Sequence, residues 1–242
     1  MTFESVIQAL HPIKVVVWGE QAMAFLGVVT LLNVRLLLRI PIVILTNITQ
    51  SYMLVPSKSD FDLAARKLVK AGFRPAPWSY GIIDPKLLPD DEITRRINPM
   101  EIPGYQMLDN NSVRFQFPAG LTGPERVVLL RSTYVGLTPP SDLSLMQRFH
   151  CHENLYYPKT APLLESFIRT LLQDSPGFWR YSLEGWSISY MYGILIIEDT
   201  VLDSCEEESI KSWFNEKIRR GKGGLDRTTV TKRVGRGQAL TK

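Results

Sequence analysis

Apolar side chains at Phe3, Val6, Ile7 and Leu10 fall at the three-and-four spacing of one helix face, and His11-Pro12 ends that pattern. Ile13 to Trp18 is a short continuous apolar run, the signature of a buried strand. Farther on, Ser59 to Phe73 carries a full set of helix signals. Ser59 is read as the N-cap, Asp60 and Asp62 fill the first turn, and Phe61, Ala64, Ala65 and Leu68 make the apolar face. Lys67 and Lys70 complement the dipole in the last turn, and Gly72 lies just past the end.

Residues 74–124 are rich in Pro, Asp and Asn and read as an irregular excursion covering the core. Within and after it, Val113–Phe117 alternates like an edge strand and Arg126–Arg131 reads as a buried one. Beyond Pro139-Pro140 the pattern turns helical. Lys159–Gln173 is amphipathic, with paired apolar positions at Leu163/Leu164, Phe167/Ile168 and Leu171/Leu172. An aromatic-rich helix over Trp179–Ile197 and a third over Glu206–Arg220 follow. The expected architecture is α+β: a small mixed sheet in residues 1–138, helices over 139–220, together one domain of residues 1–220. Residues 221–242 form a basic tail whose composition predicts disorder.

Charge sharpens this division. The chain carries +4 overall, but nine basic residues against one acid put +8 on Lys217–Lys242, which leaves −4 on residues 1–216. Basicity is therefore an appendage, available to an acidic partner or nucleic acid, and not a property of the folded surface. Two cysteines are too few for a disulfide framework, and Glu4 stands where a secretory leader needs basic residues. An intracellular location, cytoplasmic or nuclear, is expected. No transmembrane segment is expected either. The uncharged run from Gln21 to Val34 is 14 residues long, and Arg35 and Arg39 interrupt it, whereas a span needs about 20 apolar residues.

Three segments carry a family resemblance: Trp18-Gly19-Glu20 with Gly27-Val28; Leu54-Val55-Pro56 leading into the helix that ends at Gly72-Phe73; and Phe149 through Asn154 and Tyr157-Pro158 with Leu164-Glu165-Ser166. Together they resemble a family of uncharacterised fungal proteins with a nucleotidyltransferase-like fold, over residues 1–220 in outline. The resemblance implies a strand–helix–strand nucleus, with Gly19 and Glu20 at the nucleotide-facing turn. It also implies an Asp-x-Asp pair for catalytic Mg²⁺ on the next strand, because both carboxylates must reach the metals from one strand face. This sequence has no acidic residue between Glu20 and Asp60. Glu20 also replaces a small residue and would repel a triphosphate. The implied function is a degenerate nucleotidyltransferase-like pseudoenzyme serving as a binding or accessory module, with no cofactor. One alternative is a divergent Mg²⁺-dependent nucleotidyltransferase using Asp60 and Asp62, or Glu198 and Asp199. Another is a peripheral membrane or nucleic-acid binder acting through the tail.

Relative to that outline the 17-residue segment Val34–Gln50 is inserted. Val34-Arg35 can be encoded GTACGT, Thr46-Asn47 ACTAAC and Gln50 CAG, so the segment is compatible with a translated intron, a hypothesis that the spliced transcript would test. Two further constellations bear on chemistry. His150 and His152 would point the same way on a strand and supply two metal ligands, with no third in view. Trp179, Tyr181, Trp186, Tyr190 and Tyr192 either fill a core or line a ligand pocket. No P-loop, dinucleotide fingerprint, zinc-protease helix or nucleophile elbow occurs.

Overall fold

The structure is a computed structural model that describes residues 2–28, 51–81, 102–118 and 126–219. Val34–Gln50, and with it the intron reading, lies outside the described residues, as does the tail from residue 220.

Helix α1 (Thr2–Leu10) precedes strand β1 (Val15–Trp18) and helix α2 (Glu20–Phe25). Strand β2 (Ser51–Pro56), helix α3 (Phe61–Lys70) and the two-residue strand β3 (Arg74–Pro75) follow. A 3₁₀ turn over Ile102–Tyr105 leads into α4 (Gln106–Asn110), β4 (Ser112–Gln116) and β5 (Arg126–Leu130). Two short helices, α5 (Ser132–Val135) and α6 (Leu143–Met146), precede the hairpin β6 (Phe149–His152) and β7 (Leu155–Pro158). Helices α7 (Thr160–Gln173), α8 (Phe178–Gly185) and α9 (Glu208–Phe214) complete the set. α8 runs on into a π-helical segment, Trp186–Ile194, and α9 into another, Asn215–Arg219.

The strands form one seven-stranded mixed sheet in the order β3-β4-β5-β2-β1-β7-β6. β1 is antiparallel to β2 and parallel to β7, and β2 is parallel to β5. Every residue of β1, β2 and β5 is buried, as expected of central strands covered on both faces. Register assigns the faces. Trp18 pairs with Met53, Met53 with Val128 and Arg114 with Val128, so these residues share one side of the sheet. That side meets the C-terminal helices: Trp18 contacts Phe167 edge-on at 5.0 Å and Trp186 at 5.9 Å between ring centroids. The other side meets the N-terminal helix, where Phe3 stacks on Tyr52 at 5.0 Å. α7 anchors the first layer by burying Leu163, Leu164, Phe167, Ile168 and Leu171, each contributing about 1.5–3 kcal/mol.

Several expectations are corrected. The sheet is larger than expected and draws its β6–β7 hairpin from residues 149–158, inside the part read as helical. β7 supplies the parallel neighbour that closes β1, a pairing no local pattern encodes. Val113–Phe117 is not at the edge, because β3 pairs with Phe115 and Gln116 and covers β4. Asp60, not Ser59, is the N-cap of α3. The Ser57 hydroxyl holds it, donating to Asp60 Oδ2 at 2.7 Å. The aromatic-rich helix does not continue unbroken to Ile197 but passes into the π-helical segment and ends at Ile194. Among the described residues, no helix is long and apolar enough to cross a membrane.

Candidate functional site

The site is built at the carboxyl end of β1, where the chain must turn from a buried strand into α2 within one residue. Gly19 makes that turn with φ 68° and ψ −143°, a conformation that side-chain-bearing residues rarely adopt. Space is equally restrictive: a Cβ on Gly19 would lie 3.0 Å from Met53 Sδ and 3.4 Å from the Trp186 ring. Trp18 beneath it is fully buried, and its indole N–H donates to Ser166 Oγ on α7 at 2.8 Å. The turn is thus fixed from below by a hydrogen bond and from above by an aromatic ring.

β2 presents Ser51 and Met53 on the same face, at the i and i+2 positions beside the Gly19 turn. Neither residue is acidic. The next strand places Arg126 directly beside Ser51. Arg126 is buried, donates through Nη1 to the Tyr80 carbonyl at 2.7 Å, and has its guanidinium carbon 4.4 Å from the Tyr80 ring centroid. Arg114 lies on the same face, buried, and pairs with Asp109 at 3.0 Å. Burial pulls both guanidinium pKa values down, and for Arg114 the Asp109 charge offsets part of that. Tyr80 links these groups, with its hydroxyl 3.3 Å from Ser51 Oγ and its ring 5.7 Å from that of Trp179. Hard divalent cations need several oxygen ligands, carboxylates above all. Ser51, Met53 and Arg126 are a poor donor set for Mg²⁺.

Among the described residues, Glu20 is the one carboxylate at this turn. It is half-buried and makes no hydrogen bond or ion pair among the described residues. Burial holds its pKa above the ordinary 4.5. Its charge also reaches two phenols. Tyr80 is raised chiefly by burial, with Glu20 adding to it against the Arg126 charge, and half-buried Tyr190 is raised by burial and then by Glu20.

The other sequence candidates lie elsewhere. Because β1 and β2 are antiparallel, Asp60 and Asp62 follow the Pro56 end of β2, whereas Gly19 sits beside Met53. Three strand residues alone separate those ends by about 10 Å. Asp60 is held by Ser57, and Asp62 is exposed. Glu198 and Asp199 are not on a strand. Glu198 is exposed, and Asp199 accepts a hydrogen bond from the Tyr192 hydroxyl. His150 and His152 do alternate on β6, both exposed, with the His150 ring 5.6 Å from Phe25. Among the described residues, no group of three or more His, Cys, Asp or Glu side chains is arranged to hold a metal ion. Of the aromatic set, Trp179, Trp186 and Tyr192 are core residues, Tyr181 is exposed, and Tyr190 stands at the site.

Sequence reasoning missed Ser51, Tyr80 and Arg126. Arg126 left one signal, a cation opening the apolar strand Arg-Val-Val-Leu-Leu. Ser51 and Tyr80 left none. A separate cavity of about 760 Å³ lies between α7 and residues 201–207. Its wall carries alternating ion pairs, Arg148 to Glu165 at 2.8 Å and Arg169 to Glu207 at 2.8 Å. Cys205 is buried there with its thiol pushed up by burial, the opposite of an activated nucleophile. No family model, no curated protein and no solved structure matches the chain.

Proposed function

We propose that the chain is a nucleotidyltransferase-like protein that lacks metal-dependent transfer and serves as a binding or accessory module. What carries the reading is the residue set beside the Gly19 turn. Ser51 and Met53 occupy the strand positions from which two carboxylates would hold Mg²⁺, and Arg126 is their neighbour on the adjoining strand. A cation fixed at that position opposes a dication, while Glu20 at the turn opposes a triphosphate. The strand Val15–Trp18, the Gly19 turn, the helix Glu20–Phe25 and the antiparallel strand Ser51–Pro56 support the nucleotidyltransferase-like part of the reading. Fold alone does not set function, so the argument rests on the site residues.

The test is a thermal-shift titration with each of the four nucleoside triphosphates, with and without Mg²⁺. The expected result is no saturable Mg²⁺-dependent rise in Tm. A saturable rise lost in Asp60→Asn or Asp199→Asn would establish the divergent transferase instead. Binding to anionic vesicles or nucleic acid that vanishes on truncation after Arg220, with a steep salt dependence, would assign function to the tail.

A further inference from the structure

We propose that His150 and His152 are two ligands of a Zn²⁺ site that a second copy of this chain completes across the free edge of β6. The two histidines alternate with Cys151 on that strand, so they leave it on one face, about 6–7 Å apart at their Cα atoms. Register fixes which face. His150 lies opposite Tyr157 and His152 opposite Leu155, and the Phe25 ring stacks on Tyr157 at 4.0 Å and stands 5.6 Å from the His150 ring. Both histidines are exposed. Imidazole nitrogen suits Zn²⁺, whereas Mg²⁺ and Ca²⁺ require oxygen donors. Cys151 leaves the opposite face, its thiol donating to the Glu153 carbonyl at 3.5 Å, so the ligand set is nitrogen alone. Neither histidine belongs to the Gly19 turn, and the metal site is independent of nucleotide binding there.

Two imidazoles leave a tetrahedral ion half-coordinated, and among the described residues no third His, Cys, Asp or Glu side chain completes the set. The place of β6 in the fold supplies the missing half. It is the last strand of the sheet among the described residues, so one of its edges has no strand beside it. Phe149–His152 carries none of the Lys, Pro or bulge that protects such an edge. α6 packs beside it and leaves Leu143 and Met146 exposed. Antiparallel pairing of two β6 strands about a twofold axis at Cys151 sets His150 of each copy opposite His152 of the other. Directly opposed side chains stand about 4.5–5.5 Å apart at Cβ, so the four imidazoles surround one point. Four nitrogen ligands close a Zn²⁺ site. A four-residue edge falls well short of about 1,000 Å², the size a specific interface needs, so the shared metal holds the pair together.

The experiment uses the tag-free full chain under reducing conditions and measures its mass by light scattering during size-exclusion chromatography, with Zn²⁺, with Mg²⁺ and with EDTA. A doubled mass with Zn²⁺ alone is expected. His150→Gln and His152→Gln should each raise the Zn²⁺ concentration required by at least about tenfold. Circular dichroism should be unchanged in both, because the two positions are exposed. A short bis-maleimide tests the register: it should join the exposed Cys151 of the two copies in the Zn²⁺ dimer, while Cys205 is buried. Cys151→Ser should lose that cross-link and still dimerise. A monomer at every Zn²⁺ concentration, an unchanged Zn²⁺ requirement in both histidine variants, loss of the dimer in Cys151→Ser, or a Zn²⁺ dimer that does not cross-link through Cys151 would overturn the inference.

Discussion

Ser166→Ala removes the atom on which three elements converge. The Ser166 hydroxyl on α7 accepts from the Trp18 indole at the end of β1 and donates to the Val135 carbonyl at the end of α5, at 2.8 and 2.5 Å. Trp18 is fully buried, and water cannot replace the lost partner. An unsatisfied buried donor costs about 1–3 kcal/mol, and the hydrogen bond lost by the Val135 carbonyl adds about 0.5–1.5 kcal/mol. The small void left by the oxygen is minor beside these. A destabilisation of about 2–4 kcal/mol is expected.

Urea unfolding measures it, as a lowered midpoint at unchanged slope. A double-mutant cycle with Trp18→Phe separates the bond from the packing, since the phenylalanine has no donor to strand. The coupling between the two positions should be about 1–2 kcal/mol. A Ser166→Ala cost below about 0.5 kcal/mol, or additive single-mutant effects, would refute the claim that this hydroxyl ties β1 to the helical layer.

Gly19→Ala should cost about 1–3 kcal/mol from its backbone conformation alone, with close contact to Met53 adding to that. Chemical denaturation checks it, and an alanine variant as stable as the native chain would count against the described turn. Glu20→Gln should change the pH dependence of stability. The raised folded pKa of Glu20 means its stabilising contribution is complete below the ordinary 4.5 and is lost as pH rises through the folded value. Glutamine has no such dependence, so the variant should gain Tm relative to the native chain as pH rises above the ordinary 4.5. Parallel Tm-versus-pH curves would show that the carboxylate is not desolvated.

Local pattern sufficed wherever an element's own side chains determine it. α1, α3 and α7 bury the faces their apolar spacing defines, and β1 and β5 are as continuously buried as their apolar runs demand. It failed where a partner from far along the chain decides the outcome. Phe149–Pro158 falls in the part read as helical, and it becomes a hairpin because β1 has an edge that β7 can satisfy. The Asp60 cap differs from the expected Ser59 by one residue, because the Ser57 hydroxyl reaches it.

The sequence by itself determined that no carboxylate lies between Glu20 and Asp60, and that absence, with Gly19, carries most of the functional argument. Only the tertiary structure decided what surrounds the Gly19 turn. Strand register sets Ser51 beside Arg126, helix packing lays Trp186 against Gly19, and Tyr80 comes in across the sheet face to cover the Arg126 guanidinium. Each of these contacts joins residues dozens of positions apart. Side-chain periodicity records which way a residue faces but not which residue it meets there.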